Sequence, residues 1–228
     1  MSRSPFFGFA LSCALLAACS AAPDGPPTAA GAITPEGWTR QADEVAGFSI
    51  AYPKATLQFG RADTVMTLVH SVPHKHPDPC DFKGDAPALD RLTDMSVSFD
   101  VLEKSLKDAI ITTEGSDYAI ISSMHGDTIV PSPEGPVEAA VFAGVQGYRI
   151  LSGVEGCGRA AYYFPTPTGR TLVVLRSLIP EFSPVNAQAD SLLQIPGVLL
   201  PQDEETLFQA VMDTVLWTNQ QASSVPKA

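Results

Sequence analysis

The sequence predicts an α+β fold: a mainly antiparallel sheet with helices packed against it. Three observations lead there. Several short stretches alternate apolar and polar residues, as strands buried on one face do. Two other stretches repeat apolar residues at three- and four-residue spacing, as amphipathic helices do. Few strand pairs are separated by the helical crossover that parallel pairing requires. With 228 residues and 45% hydrophobic content, the chain can bury one good core.

The elements follow in order. Gly47-Phe48-Ser49-Ile50-Ala51-Tyr52 alternates and stops at Pro53, as a strand should. Thr64 to Val72 is apolar on both faces, the pattern of a central strand. Thr93, Met95, Val97, Phe99 and Val101 alternate with Asp94, Ser96, Ser98 and Asp100, which predicts a half-buried strand. Helical spacing takes over at Leu102, Leu106 and Ile110, with Glu103 and Lys107 as an i,i+4 pair. Further strands are expected at 118–122, 137–143, 147–154, 159–164 and 171–179. The last two should form a hairpin across the turn Pro165-Thr166-Pro167-Thr168-Gly169. Residues 180–202, with Pro184, Pro196 and Pro201, predict a long covering loop. Asp203, Glu204 and Glu205 place acid at the positive end of a final helix. Leu207, Phe208, Val211, Met212 and Val215 are its apolar face.

The chain starts MSRSPFFGFALSCALLAAC. Arg3 is followed by an apolar run from Phe6 to Leu16, too short to span a bilayer of about 30 Å and suited to a secretory signal. Leu16-Ala17-Ala18-Cys19 resembles the lipobox of bacterial lipoproteins at all four places. The resemblance implies removal of residues 1–18 as a signal peptide and lipidation of Cys19, palmitate included. Cys13 fits less well, because Leu11 stands one place too close to it. Ser20 follows the lipidated Cys where an Asp would mark inner-membrane retention, so the periplasmic face of the outer membrane is the expected location. Residues 19–37 are rich in Pro, Gly, Ala and Thr and read as a flexible tether. Residues 38–219 are expected to form a single α+β domain, and 220–228 a disordered tail.

After the predicted cut two other cysteines remain, Cys80 and Cys157. Outside the cytoplasm an even pair usually oxidises, which predicts a Cys80–Cys157 disulfide. It would pin the loop 73–90 onto the turn Gly153–Gly158. The competing idea is a reactive Cys157 thiol with His125 as base. Three of the four histidines, His70, His74 and His76, fall in HSVPHKHPDPCDF. Imidazoles at i and i+2 of an extended segment share a side, so His74 and His76 can hold Zn²⁺ or Cu²⁺, with His70 joining if the loop folds back. A solvated polar loop, rigid at Pro73, Pro77 and Pro79, is the plainer expectation, with no cofactor. Asp78, Asp81 and Asp85 lack the order of a calcium loop. Arg149, Arg159, Arg170 and Arg176 are expected to pair with carboxylates.

Thirteen basic and 25 acidic residues follow Cys19, a net charge of −12. Such a surface repels nucleic-acid backbones, so no nucleic-acid partner is expected. No G-x-S-x-G, H-E-x-x-H or phosphate-binding glycine loop is present. GFSIAYP near the start and ETLFQAVMDTVLWT near the end, with the antiparallel middle between them, resemble PsbP-like domains. That resemblance implies a binding or assembly module rather than an enzyme. The sequence therefore favours a membrane-anchored envelope lipoprotein, held by its N-terminal lipid, with an envelope protein or cell-wall component as partner. A metal-binding lipoprotein using His70, His74 and His76, and an envelope hydrolase with an unrecognised site, are the alternatives.

Overall fold

The sequence folds into two larger antiparallel sheets and one two-stranded antiparallel ribbon in the computed structural model, which describes residues 34–217 apart from 116–117, 126–127, 132–134, 155 and 185. The predicted signal peptide, Cys19, most of the tether and the tail lie outside the described residues. In chain order the strands begin with β1 (Thr39–Asp43), β2 (Phe48–Tyr52), β3 (Gln58–Ala62), β4 (Val65–His76) and β5 (Leu89–Leu102). Helices α1 (Leu106–Glu114) and α2 (Tyr118–Ser122) follow, then the short β6 (Met124–His125) and β7 (Thr128–Ile129). Next come β8 (Val137–Phe142), β9 (Val145–Val154), β10 (Cys157–Pro165) and β11 (Thr171–Ser177). A 3-10 turn (Pro180–Phe182), α3 (Ala189–Leu192), α4 (Pro201–Met212) and β12 (Leu216–Trp217) close the chain.

The large sheet has the order β3-β4-β5-β11-β10-β9-β8 and the small one β1-β2-β12, every pairing antiparallel. The predicted β10–β11 hairpin is present, with Arg159 opposite Ser177 and Pro165 opposite Thr171. Both strands read as nearly continuous apolar runs because the large sheet is covered on both faces. On one face Tyr162, Phe164, Leu172 and Val174 meet Phe48 and Ile50 of the small sheet and Phe208, Val211 and Met212 of α4. On the other, Ala161, Tyr163 and Val173 meet Ala109 and Ile110 of α1, Ile120 of α2 and Ile129. A third, smaller cluster joins Val72 and Leu92 to Leu192, with Phe182, Ile195 and Val198 packed on it.

Helix ends obey local chemistry. Ser105 caps α1 by accepting from the Asp108 N–H at 3.2 Å, and Gly115 ends it with φ +80°. Pro201 opens α4 where its missing N–H costs nothing, with Asp203 and Glu204 in the first turn.

Several expectations need correction. Residues 118–122 form a helix, not a strand; a five-residue apolar run has no period long enough to decide, and packing of Ile120 on the sheet decides it. The first helix starts at Leu106, because Leu102 still pairs with Thr171 as the end of β5. The loop drawn at 73–90 shrinks to 77–88, since β4 continues through Pro73 to His76. Residues 180–200 do cover the sheet, but with a 3-10 turn and a short helix inside them. Strands β1, β3 and β12 carry too few apolar residues, or are too short, to have been read.

Candidate functional site

Two irregularities in the β4–β5 ribbon set up the site. The register shifts between His70 and Ser71, where Met95 pairs with His70 and Thr93 with Ser71, so Asp94 is left over on β5. It shifts again between Pro73 and His76, where Arg91 and Leu89 are the partners and β4 carries the extra residue. Such bulges re-aim side chains. Asp94, expected on the polar side of its strand, is instead buried.

Residues 178–200 lie over this ribbon and are fastened to it by polar contacts. His70 Nδ1 meets Asp94 Oδ1, and the other Asp94 oxygen accepts the Leu199 N–H at 2.8 Å. His76 Nε2 lies 3.0 Å from Glu181 Oε1, and His76 Nδ1 lies 3.1 Å from the His74 carbonyl oxygen. Both side chains of the His76–Glu181 pair are buried, at 6% and 8% exposure. The Glu181 carbonyl in turn accepts from Asn186 Nδ2 at 2.8 Å, which holds the 3-10 turn in place.

His76 and Glu181 line a cleft of about 680 Å³. Its walls are Pro77, Pro79 and Pro180, with Asn186, Gln188 and Leu192. Proline fixes its own φ, so three sides of this rim are stiff. The rim is also tied covalently: Cys80, next to Pro79, is bridged to Cys157, with Cα atoms 5.7 Å apart. The predicted disulfide is therefore present, and the Cys157 sulfur is not a free nucleophile. His125, its imagined base, sits exposed on β6.

The three clustered histidines take different places. His74 and His76 share a side as expected, their rings stacked at 5.8 Å between centroids and 19° between planes. His70 is committed to Asp94. Among the described residues no three His, Cys, Asp or Glu side chains gather as a metal cage. Asp78 and Asp81 turn inward on their own loop. Asp78 accepts the Cys80 N–H at 2.8 Å, and Asp81 accepts the N–H groups of Ala86 and Lys83. The hydrogen bond from Ala86 is the main reason the Asp81 carboxyl is held below its ordinary range.

A second concave region lies between α4 and the large sheet, where clefts of about 440 and 380 Å³ meet at Arg149, Arg176 and Glu205. Arg176 donates Nε to Glu204 Oε1 at 3.0 Å and Nη2 to Glu204 Oε2, a bidentate pair, and reaches Glu205 with Nη1. Its Cζ stands 4.6 Å from the Phe208 ring centroid. Burial pulls the guanidinium down, but the hydrogen bonds and charges of Glu204 and Glu205 outweigh it and hold it above its ordinary value. Burial likewise raises the Glu204 carboxyl, and Arg176 offsets that only in part. The other arginines pair as expected: Arg149 with Glu138 at 2.7 Å, Arg170 with Glu103 at 2.9 Å and Arg159 with Glu114. Tyr163 donates to the same Glu114, and burial first, then that bond, pushes its hydroxyl upward. Glu181, Asp94 and Glu204 are the site residues that sequence reasoning missed. Glu181 stands as a single acid in a proline-flanked stretch, but nothing local marks Asp94 or Glu204, which a register shift and a partner far along the chain bury.

No protein-family model matches this chain, and no curated protein matches it. Among solved structures, a crystal structure of a Bacteroides thetaiotaomicron protein is similar at 7% identity with a TM-score of 0.39. The likeness covers 79% of this chain and 48% of that one, so the chain spans about half the length of that structure.

Proposed function

We propose that this chain is a lipid-anchored binding or assembly module of a bacterial cell envelope. The observation that carries the reading is the tetrad Leu16-Ala17-Ala18-Cys19. Cleavage before Cys19 and its acylation supply two or more chains, and two chains are what make attachment lasting, at roughly 0.8 kcal/mol per buried CH₂. Ser20 favours the outer membrane, and residues 19–37 serve as the tether. The Cys80–Cys157 bridge supports an oxidising compartment.

Binding rather than catalysis is favoured by how the polar groups are spent. Both ring nitrogens of His76 have partners, and Arg149, Arg159, Arg170 and Arg176 each face a carboxylate. That leaves a shaped, stiff-rimmed cleft suited to holding a partner. The PsbP-like reading belongs here too. GFSIAYP supplies β2 and ETLFQAVMDTVLWT supplies most of α4 and all of β12, and the two stretches meet: Trp217 pairs with Phe48, and their rings lie 6.3 Å apart. The partner class is an envelope protein or a cell-wall component.

The test is growth of an expressing bacterium with radiolabelled palmitate, followed by fractionation. The intact chain should carry label and sediment with membranes. Cys19→Ala should carry none and leave the membrane fraction. An unlabelled, uncut wild-type product in the cytosol overturns the proposal.

A further inference from the structure

Residues 178–199 cross the β4–β5 ribbon as a strap, and polar groups fasten it sparsely. At one end the Leu178 N–H donates to the Gly158 carbonyl at 2.9 Å. At the other the Leu199 N–H donates to Asp94 at 2.8 Å. Between those ends the strap bonds to itself: the Phe182 N–H to the Ile179 carbonyl, the Ser183 N–H to the Pro180 carbonyl and the Asn186 side chain to the Glu181 carbonyl. Among the described residues, His76–Glu181 is the one polar contact that ties the interior of the strap to the rest of the chain.

That contact is conditional on protonation. A carbonyl oxygen only accepts, so the 3.1 Å approach of Nδ1 to the His74 carbonyl oxygen takes a proton on Nδ1. Nε2 lies 3.0 Å from Glu181 Oε1, a second acceptor, and takes a proton as well. The ring that makes both bonds is the imidazolium. A neutral ring turns a lone pair to one of the two oxygens, and one bond becomes a repulsion. His70 differs, because its bond to Asp94 uses Nδ1 alone, which a neutral ring supplies. The surroundings of His76 offer no substitute charge. Glu181 reaches it from the 3-10 turn, and His74 stacks on it from β4 with ring centroids 5.8 Å apart. Its β5 partner is Leu89. Pro77, Pro79, Asn186, Gln188 and Leu192, which line the cleft beside it, are all uncharged. Of the nearest charges along the chain, Lys75, Asp90 and Asp190 are exposed, and Asp78 accepts a bond from its own loop.

We propose that His76 and Glu181 are a proton-operated latch on the proline-rimmed cleft, closed in acid and opened as pH rises. His76, Pro77 and Pro79 belong to the ribbon and its loop, while Pro180, Glu181 and Asn186 belong to the strap, so the latch joins the two walls. Losing the second proton frees the 3-10 turn and widens the cleft, while the bonds at Leu178 and Leu199 keep the ends of the strap in place. Linkage fixes the sign. A free imidazole side chain gives up its second proton at about pH 6.5. Above that the closed form keeps a proton that the open form has released, so rising pH favours opening. The latch does not depend on the lipid anchor.

The experiment exposes the full chain, purified in detergent, to deuterium at about pH 5.5 and about pH 8.5, on either side of the imidazole range. Exchange of the Phe182 and Ser183 amides, corrected for the intrinsic effect of pH, reports the 3-10 turn. Wild-type protection should fall by about ten- to a hundredfold in the alkaline buffer, the worth of one hydrogen bond to a charged group. Glu181→Gln puts an amide opposite the ring, and its NH₂ donates to the lone pair of neutral Nε2. That variant should be level across the two buffers and better protected than the wild type in alkali, a gain that loss of packing would not produce. His76→Gln should be level as well, and it decides if melting shows Glu181→Gln to be unfolded. His70→Gln and His74→Gln should keep the wild-type dependence. Wild-type protection equal in both buffers overturns the proposal, and so does a dependence that survives Glu181→Gln or that vanishes in His70→Gln or His74→Gln.

Discussion

At the scale of single residues, the strongest consequences come from carboxylates that left water. Glu204 is buried against Arg176, whose side chain is 16% exposed. Arg176→Met keeps the apolar stem over Phe208 but leaves Glu204 without its fork. Removing one partner of a buried pair costs about 3–5 kcal/mol, because the other charge stays buried. The loss should depend on pH in a definite sense. Burial already holds the Glu204 carboxyl above its ordinary value, and Arg176 is what pulls it back. Without Arg176 the folded-state value climbs further, so the folded chain binds a proton that the unfolded chain has released. Stability is then retained below the ordinary carboxylate range and lost as pH rises through the raised value. Urea unfolding in acidic and in neutral buffer checks this; an equal loss in both would show that Arg176 acts through packing alone. Glu204 was legible as a helix-start acid, but not as a buried one, since its partner lies on a strand 28 residues earlier. Cys80 and Cys157 were legible as a pair because the even count leaves one pairing once Cys13 and Cys19 are assigned.

At the scale of elements, bulges and cross-links separate what could be read from what could not. Alternation located β2 and β5, where a one-residue error would turn core side chains to water, and apolar runs bounded by turn residues located β4 and the β10–β11 hairpin. Alternation failed at Asp94 and at His74–His76, where an extra residue breaks the period and nothing local announces it. Those two breaks are where the histidines and their carboxylates meet, so the part of the site hidden from the sequence is the part made by register. The disulfide holds the loop after β4 to the β9–β10 turn across a separation of 77 residues. Replacing both cysteines by serine should cost roughly 4–5 kcal/mol in the chain-entropy model. Chemical denaturation of the double variant measures it, and a cost near zero would mean that the unfolded chain is compact without the bridge. The turn itself is intolerant. Gly153 has φ +150°, and a Cβ there or at Gly158 would collide with the facing backbone. Gly153→Ala should therefore destabilise the hairpin even with the bridge intact, seen as a lower melting temperature.

At the scale of the whole molecule, the small sheet is not an appendage. Phe48, Ile50 and Trp217 share one buried cluster with Phe99 and Val174 of the large sheet and Phe208 of α4. β12 closes the small sheet on β2, on the side away from β1, helped by Thr214. Its hydroxyl accepts the Ala51 N–H at 2.7 Å and lies 3.1 Å from the Ala51 carbonyl oxygen, standing in for a ladder residue next to β12. Arg40 adds a bond from Nη1 to the Thr214 carbonyl at 2.9 Å. This shared core predicts one cooperative transition rather than two. The chain offers a clean test, because it has two tryptophans and both sit on the small-sheet side: Trp38 just before β1 and Trp217 within β12. Fluorescence therefore reports the small sheet, while far-ultraviolet circular dichroism reports mainly the large one. The two denaturation curves should superimpose. Thr214→Val leaves a buried backbone N–H of Ala51 without its acceptor and should lower stability by about 1–3 kcal/mol, moving both curves together. If fluorescence alone shifted, the small sheet would be coming away while the large sheet stayed folded, and the core would be two cores in contact rather than one.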